Sequence, residues 1–281
     1  MKKIQPIANT ACLVLACRKL KIPYTFYDDN HNLVAVSLSQ EYFFANSSTP
    51  FNNESVGKIF KDKEFAYRVT SDAIKTPKTI GFIDPNCNPD YARFVKFTTH
   101  EEIIHHIEKN FRYPLILKMN SGSRGTNVFK CNSRSDVRKY LETIYDKSSL
   151  HYDYVALAQE YIKICQEFRV VIFQNEILFA YEKDFSQATL PEDRNISPLH
   201  QENSKALLVR SKNTIKKFTE FLSPLFKKMP IGFAGLDVVI DNKSKLWLIE
   251  LNSKPGFEYF VRDNGNSELI KMYEKMLKFL K

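Results

Sequence analysis

Apolar residues recur along the chain with two spacings, one typical of strands and the other of helices. Strands are predicted at 23–29, 32–38, 41–48, 78–82, 93–98, 114–118, 128–131, 154–162, 167–173, 176–182 and on both sides of a turn at 241–244. Helices are predicted at 9–20, around Phe65, Tyr67, Val69 and Ile74, at 99–110, 133–145 and 205–228, and at the C-terminal end with Leu269, Met272, Met276 and Phe279 on one face. A polar segment at 184–204 is long enough to indicate a functional or mobile loop.

The predicted hairpin "GLDVVIDNKSKLWLIELNSKPG", residues 235–256, carries carboxylates where apolar residues are expected. With the turn at its centre, Asp237 lies opposite Leu248. Alternation places Glu250 and Asn252 on the same face, with Asp237 and Glu250 as diagonal neighbours. Burying two unpaired carboxylates is costly, and carboxylate and amide oxygens are ligands that Mg²⁺ prefers. The alternative is that the two acids form salt bridges or lie at strand edges.

Two further stretches carry chemistry of the same kind. In "YPLILKMNSGSRGTNVFK", a buried strand ends in Lys118 and a Gly/Ser loop follows, which suits phosphate oxygens or is simply a hairpin turn. In "LAQEYIKICQEFRVVIF", alternation places Glu167 and Arg169 on one face with Val171 and Phe173. That pair is either a cross-strand ion pair or a ribose acceptor beside a phosphate clamp.

Composition narrows the class of protein. The 281 residues are 43% hydrophobic and 26% charged, as in globular proteins of two or three packed units. A net charge of +9 indicates anionic partners, but no basic run, zinc-finger spacing or membrane-length apolar segment is present, so we expect neither nucleic acid nor membrane. The five scattered cysteines indicate free thiols in a reducing compartment, and polar residues interrupt the apolar stretch near the start, so the cytoplasm is expected.

The order of these pieces resembles the ATP-grasp superfamily, in particular the branch with cyanophycin synthetase and the ribosomal-protein glutamate ligases. The resemblance runs from about Asn9 to about Gly256: "KDKEFAYRV" with Lys63, then Lys118 and its loop, "QEYI", "EFRV" and "GLDVVI…LIELNSKPG". It implies an α+β, ATP-grasp fold with two α+β subdomains gripping the nucleotide. The expected units are a short N-terminal α/β domain at 1–62, a lid subdomain with the phosphate loop at 63–158, and a C-terminal subdomain with the metal site at 159–281.

The resemblance also implies a role for each matching residue. Lys63, Lys118 and the loop residues Ser121, Gly122, Ser123 and Gly125 would contact the phosphates of ATP. Glu160, Tyr161 and Ile162 would meet the adenine, and Glu167 the ribose. Mg²⁺, or Mn²⁺ in its place, would be held by Asp237, Glu250 and Asn252. Arg169 would act with Lys118 in catalysis, facing the γ-phosphate or the acyl phosphate, and Lys183, Arg194 and Asn195 are substrate-side candidates.

The expected function is an ADP-forming, ATP- and Mg²⁺-dependent carboxylate–amine ligase. A carboxylate would attack the γ-phosphorus, and an amine would displace phosphate from the acyl phosphate to give an amide. The expected partners are a small-molecule or peptide carboxylate and an amine, whose identities the sequence leaves open, as it does the oligomeric state. The alternatives are an ATP-binding regulatory or scaffold protein without turnover, and a basic nucleic-acid-binding protein whose hairpin acids are structural.

Overall fold

Helices and antiparallel strands alternate through the computed structural model, which describes residues 6–122, 125–187 and 203–281. The α-helices are α1 (Ala8–Leu20), α2 (Glu54–Lys61), α3 (Lys63–Thr70), α4 (His100–Asn110), α5 (Arg134–Ile144), α6 (Lys212–Lys228), α7 (Glu258–Asn264) and α8 (Ser267–Phe279). The strands are β1 (Tyr24–Phe26), β2 (Leu33–Ser37), β3 (Glu41–Ala45), β4 (Thr79–Ile83), β5 (Leu115–Met119), β6 (Val128–Cys131), β7 (Val155–Glu160), β8 (Ile164–Phe173), β9 (Glu176–Asp184), β10 (Lys205–Leu208), β11 (Phe233–Asp241) and β12 (Leu246–Asn252). The predicted α+β class is confirmed.

The strands form three antiparallel sheets, which we call the N-terminal, small and large sheets. The N-terminal sheet has the order β1-β2-β3, the small sheet β4-β7-β5-β6 and the large sheet β10-β9-β8-β11-β12. The small sheet packs on α4 and α5, where Ile103, Ile107 and Leu141 are fully buried. Side-chain caps begin both helices: Thr99 accepts from the amide of Glu102, and Ser133 forms a capping box with Asp136.

The large sheet has a hydrophobic core on each face. One face packs on α2, α3 and α6, so helices on both sides of the predicted boundary at residue 63 share this core. The other face packs on α1, the N-terminal sheet, α7 and α8. Leu269, Met272 and Met276 are buried there as predicted, whereas Phe279 is 59% exposed and packs at the edge of this core against the rings of Phe51 and Phe173. The predicted domain boundaries stay a prediction.

Three element predictions are wrong. The strand predicted at 93–98 is absent; instead Pro89–Phe94 forms a 3₁₀ helix, because Asn88 caps the amide of Asp90 and Pro89 occupies the first turn. The helix predicted from 205 begins only after Ser211, since residues 205–208 pair with β9 as an edge strand.

The third difference concerns the helix predicted to carry Phe65, Tyr67, Val69 and Ile74, which ends at Thr70, so that Ile74 lies beyond it. Asp62 ends α2 and caps α3 by accepting from the amide of Phe65, so the helical run breaks at this residue. Ala66 and Thr70 form the buried face of α3, and Phe65 is 46% exposed. Helix α7 was not predicted. Among the residues described, no helix is both long and apolar enough to cross a bilayer.

Candidate active site

A β-bulge in the hairpin of β11 and β12 sets the position of its carboxylates. Val238 pairs with Leu248, but the register shifts between Asp237 and Val238, so Asp237 pairs directly with Glu250. The predicted register, with Asp237 opposite Leu248 and diagonal to Glu250, is therefore wrong. The extra residue in β12 also turns Leu248 into the core shared with α6, away from the carboxylates. Asp237, Glu250 and Asn252 do share a face, because all three line one cleft.

Cations occupy both oxygens of the Asp237 carboxylate. Arg169 lies opposite Asp237 on β8 and donates from Nε to Oδ1 and from a terminal nitrogen to Oδ2, both at 2.8 Å. The Nζ atom of Lys183, from β9, lies 2.9 Å from Oδ2. Burial by itself would raise the pKa of the Asp237 carboxyl, but Arg169 and Lys183 outweigh it and hold that pKa below its usual range.

Lys183 joins a second carboxylate to this network. Its Nζ atom donates to Oε1 of Glu167 at 2.5 Å, and the lysine side chain is only 2% exposed. Glu167 and Arg169 lie on the predicted common face, since Val171 and Phe173 enter one core while Phe168 and Val170 enter the other. Glu167 and Arg169 thus each form an ion pair across strands, with Lys183 on β9 and with Asp237 on β11.

Lys63 connects the large sheet to the loop after β5. Its Nζ atom lies 3.1 Å from Oε1 of Glu250 and also donates to the backbone carbonyls of Asn120, at 3.4 Å, and Gly122. The amide of Glu64 donates to the side-chain oxygen of Asn120 at 3.0 Å. The start of α3 therefore holds both the carboxylate hairpin and the predicted phosphate loop.

Lys118 is buried at the end of β5. Its Nζ atom donates to Oε1 of Gln159 at 3.0 Å, and Gln159 in turn donates to the hydroxyl of Thr79. Burial lowers the pKa of Lys118 to about 8, with Glu250 raising it and Lys63 lowering it further. The amine is therefore protonated below about pH 8, and an anion that enters the cleft would raise its pKa again.

Two glycines of the predicted phosphate loop line the cleft. A Cβ atom on Gly122 would lie 2.4 Å from Cγ of Met119, and Gly125 has a φ of 75°, so both positions favour glycine. Ser121 does not line the cleft; its amide and hydroxyl both donate to Oδ2 of Asp153 at 2.7 Å. Ser123 lies outside the described residues.

The cleft runs between the small and large sheets and has a volume of about 890 Å³, within the usual range for small-molecule sites. Glu160, Tyr161 and Ile162 line it where the chain passes from β7 to β8. The amide of Glu160 donates to the carbonyl of Lys78 at 2.9 Å, which fixes this linker against β4. The predicted adenine-contacting segment therefore faces the same space as the candidate phosphate and metal residues.

The other end of the cleft includes residues that the sequence did not reveal. Lys183 lines the cleft, whereas Arg194 and Asn195 lie outside the described residues. The only indication of Lys254 in the sequence was a charged residue after the Glu-x-Asn motif, where small residues are often found. Seven further lining residues carry no local signal, because tertiary packing alone brings them here: Ile7, Asn46, Ser47, Tyr181, Phe185, Glu258 and Tyr259.

The donor set fits a hard divalent cation in its chemistry. It offers two carboxylates and the amide oxygen of Asn252, on paired strands that line one cleft. Within those residues, no group of three or more His, Cys, Asp or Glu side chains is placed to hold a metal. Any such site would therefore use Asn252 in addition to Asp237 and Glu250.

Comparison with known proteins identifies the family. A family model, the RimK-like ATP-grasp domain, matches residues 89–277, which is 189 of the 281 residues. The chain belongs to the RimK-like ATP-grasp family. The resemblance predicted from the sequence is confirmed. No curated protein sequence matches the chain.

Solved structures agree with the ATP-grasp fold. The RimK-like chain resembles VanG D-Ala:D-Ser ligase from Enterococcus faecalis with a TM-score of 0.55 and 18% identity, over 78% of this chain and 62% of that one. A bifunctional glutathione synthetase from Pasteurella multocida matches with a TM-score of 0.53 and 14% identity. This match covers 97% of this chain and 44% of that protein. D-alanine–D-alanine ligase from Bacillus anthracis matches with a TM-score of 0.50 and 16% identity. This match covers 78% of this chain and 65% of that protein. The chain thus spans less than two-thirds of each of these proteins, and the likeness is one of fold.

Proposed function

We propose that this protein is an ATP- and Mg²⁺-dependent carboxylate–amine ligase that forms an amide and releases ADP. The observation that carries the proposal is one cleft lined by Lys63, Lys118 and Arg169 together with Asp237 and Glu250. Cationic side chains beside hard oxygen ligands are what phosphoryl transfer from a nucleotide requires. Membership of the RimK-like ATP-grasp family supports the same class of reaction.

The proposed work of the cationic side chains is to neutralise charge on the phosphates. Lys118 is held by Gln159 at the end of a buried strand, so its position needs little adjustment when phosphate binds. Arg169 is held against Asp237 and can present its remaining N–H donors to the transferred phosphoryl group. The backbone of the loop at Gly122 and Gly125 can approach the phosphates closely, because no side chain intervenes.

Mg²⁺ would be held by Asp237, Glu250 and Asn252, and when bound it supplies further charge neutralisation and orients the phosphates. Glu167 would accept hydrogen bonds from the ribose, and Glu160 to Ile162 would meet the adenine. These assignments are supported by the shared cleft, which brings the three segments together.

The carboxylate substrate would attack the γ-phosphorus and become an acyl phosphate, which the amine then converts to an amide with release of phosphate. Water must be kept from an acyl phosphate, and the loop after β5 borders the cleft where it could exclude water. The substrates are proposed to be an amino acid or a peptide. Exposed Lys254 and Glu258 line the same cleft and are candidate contacts for the charged ends of such a substrate.

The test is phosphate release from Mg-ATP with a panel of amino-acid and peptide pairs. We expect phosphate release with particular pairs only. In Glu250→Gln the rate of release should fall by about 100-fold or more, because one of the two carboxylates proposed to hold Mg²⁺ becomes a neutral amide. Glu176→Gln is the matched control, since Glu176 is exposed and pairs only with Lys275 among the described residues. Nucleotide binding without release from any pair would favour an ATP-binding regulatory protein, and no nucleotide binding would contradict both.

A further inference from the structure

The ionic groups at the metal end of the cleft are balanced without any ligand. Three cations match three carboxylates: Arg169 and Lys183 contact Asp237, Lys183 also contacts Glu167, and Lys63 forms a separate pair with Glu250. Each contact lies between 2.5 and 3.1 Å. The candidate metal ligands are therefore already neutralised by the protein's own side chains.

Burial makes this balance important. The side chain of Lys183 is 2% exposed and that of Asp237 is 6% exposed, so neither charge is screened well by water. Adding a divalent cation to such a cluster would leave excess positive charge in a poorly solvated place, which is unfavourable. It would also have to displace donors from Asp237, because Arg169 contacts both of its oxygens.

Lys183 differs from the other two cations in what it holds. Arg169 forms its ion pair with Asp237 and Lys63 forms one with Glu250, whereas Lys183 joins two carboxylates, those of Glu167 and Asp237. Removing its charge would leave two buried carboxylates beside a single guanidinium. The cluster would then carry a net negative charge in a place that already offers oxygen ligands.

We propose that Lys183 is the resident counter-ion of the candidate metal site, and that it keeps divalent metal out until nucleotide phosphates enter the cleft. The phosphates bring the negative charge that the metal requires and give Lys63 and Arg169 new anions to contact. Metal and nucleotide would thus bind together. The inference rests on the proposed function, because the nucleotide is the ligand that releases the site.

The test uses Mn²⁺ alone, followed by its electron paramagnetic resonance signal, with the full-length protein and no nucleotide. Wild type is expected to take up no Mn²⁺ at the cleft, whereas Lys183→Met is expected to bind it at least about tenfold more tightly, because an uncompensated carboxylate becomes available. The melting temperature of Lys183→Met should be below that of wild type and should rise with Mn²⁺, while wild type should show no such rise.

Three control variants separate this role from a structural one. Lys183→Arg keeps the cation and should exclude Mn²⁺. The double variant Lys183→Met with Glu167→Gln restores the balance of charge, so its uptake of Mn²⁺ should fall back towards that of wild type. Lys275→Met removes an exposed ion pair at the other end of β9 and should change neither Mn²⁺ uptake nor its effect on melting temperature.

The proposal is overturned if wild type binds Mn²⁺ without nucleotide as tightly as Lys183→Met does. Tight binding by wild type would overturn it even if Lys183→Met fails to fold. Equal, weak uptake by a folded Lys183→Met overturns it as well. Either result leaves nucleotide-dependent phosphate release intact. Failure of the proposed function would instead show as absence of nucleotide binding and of phosphate release in wild type, so the two failures are distinguishable.

Discussion

At Lys118, burial opposes the positive charge that phosphate binding requires. A fully buried ammonium lacks the solvation it has in water, and here the neutral carboxamide of Gln159 is the hydrogen-bond partner. The resulting pKa of about 8 means that the folded protein without ligand releases this proton more easily than an unfolded chain does. Phosphate binding reverses the effect, because an anion favours the ammonium form.

This predicts that nucleotide affinity falls as pH rises. The folded pKa is lowered, so the ammonium is present below about pH 8 and is lost above it; each further pH unit should weaken binding by up to about tenfold. Calorimetric titration with a non-hydrolysable ATP analogue measures the slope. Lys118→Met should bind weakly without this slope, and Lys61→Met, at an exposed lysine, should keep it. An unchanged slope in Lys118→Met would contradict the assignment to this amine.

At the scale of elements, local sequence signals predicted most of the fold that surrounds the cleft. The helical pattern of the sequence predicted α4 and α5, and alternation placed Glu167 and Arg169 on one face of β8. What could not be predicted depends on a distant partner. Residues 205–208 form a strand only because β9 offers an edge, and the bulge beside Asp237 has no turn residue to mark it.

The candidate site shows the same division. Sequence alternation predicted that Asp237, Glu250 and Asn252 share a face, and this holds although Asp237 pairs with Glu250, two residues beyond the predicted partner Leu248. The partners of these acids were left open, since the choice of Lys183 depends on β9 lying beside β8. An ion-pair network across three strands is a property of sheet order, which spacing along the chain does not encode.

Two glycines in different elements allow a matched prediction of stability. Gly57 lies inside α2 with open space around its Cα, so Gly57→Ala should stabilise the protein by about 0.5–1 kcal/mol. A Cβ on Gly232 would lie 2.0 Å from the carbonyl oxygen of Phe51, so Gly232→Ala should destabilise it by about 1–3 kcal/mol. Urea unfolding measures both. Stabilisation by Gly232→Ala would contradict the close approach of Phe51 to Gly232. Destabilisation by Gly57→Ala would contradict the open space beside Gly57.

At the scale of the whole molecule, Lys63 connects the two sheets that form the walls of the cleft. It belongs to α3, which packs on the large sheet, yet its Nζ atom holds carbonyls of Asn120 and Gly122 in the loop of the small sheet. The same atom contacts Glu250. The separation of the walls at this point therefore depends on a group that we propose will also contact phosphate.

Lys63→Met should loosen the loop before any ligand binds. Without the ammonium, the carbonyls of Asn120 and Gly122 lose a charged donor, so amide hydrogen exchange in residues 119–122 should become faster by about tenfold. Exchange in β2 should stay unchanged, because the N-terminal sheet does not contact Lys63. Lys61→Met, two residues earlier and exposed, is the control and should leave the loop as it is in wild type. If exchange in the loop is the same in Lys63→Met, the loop is held by Asp153 and Asn120 alone, through their bonds to Ser121 and Glu64, and Lys63 serves only the cleft.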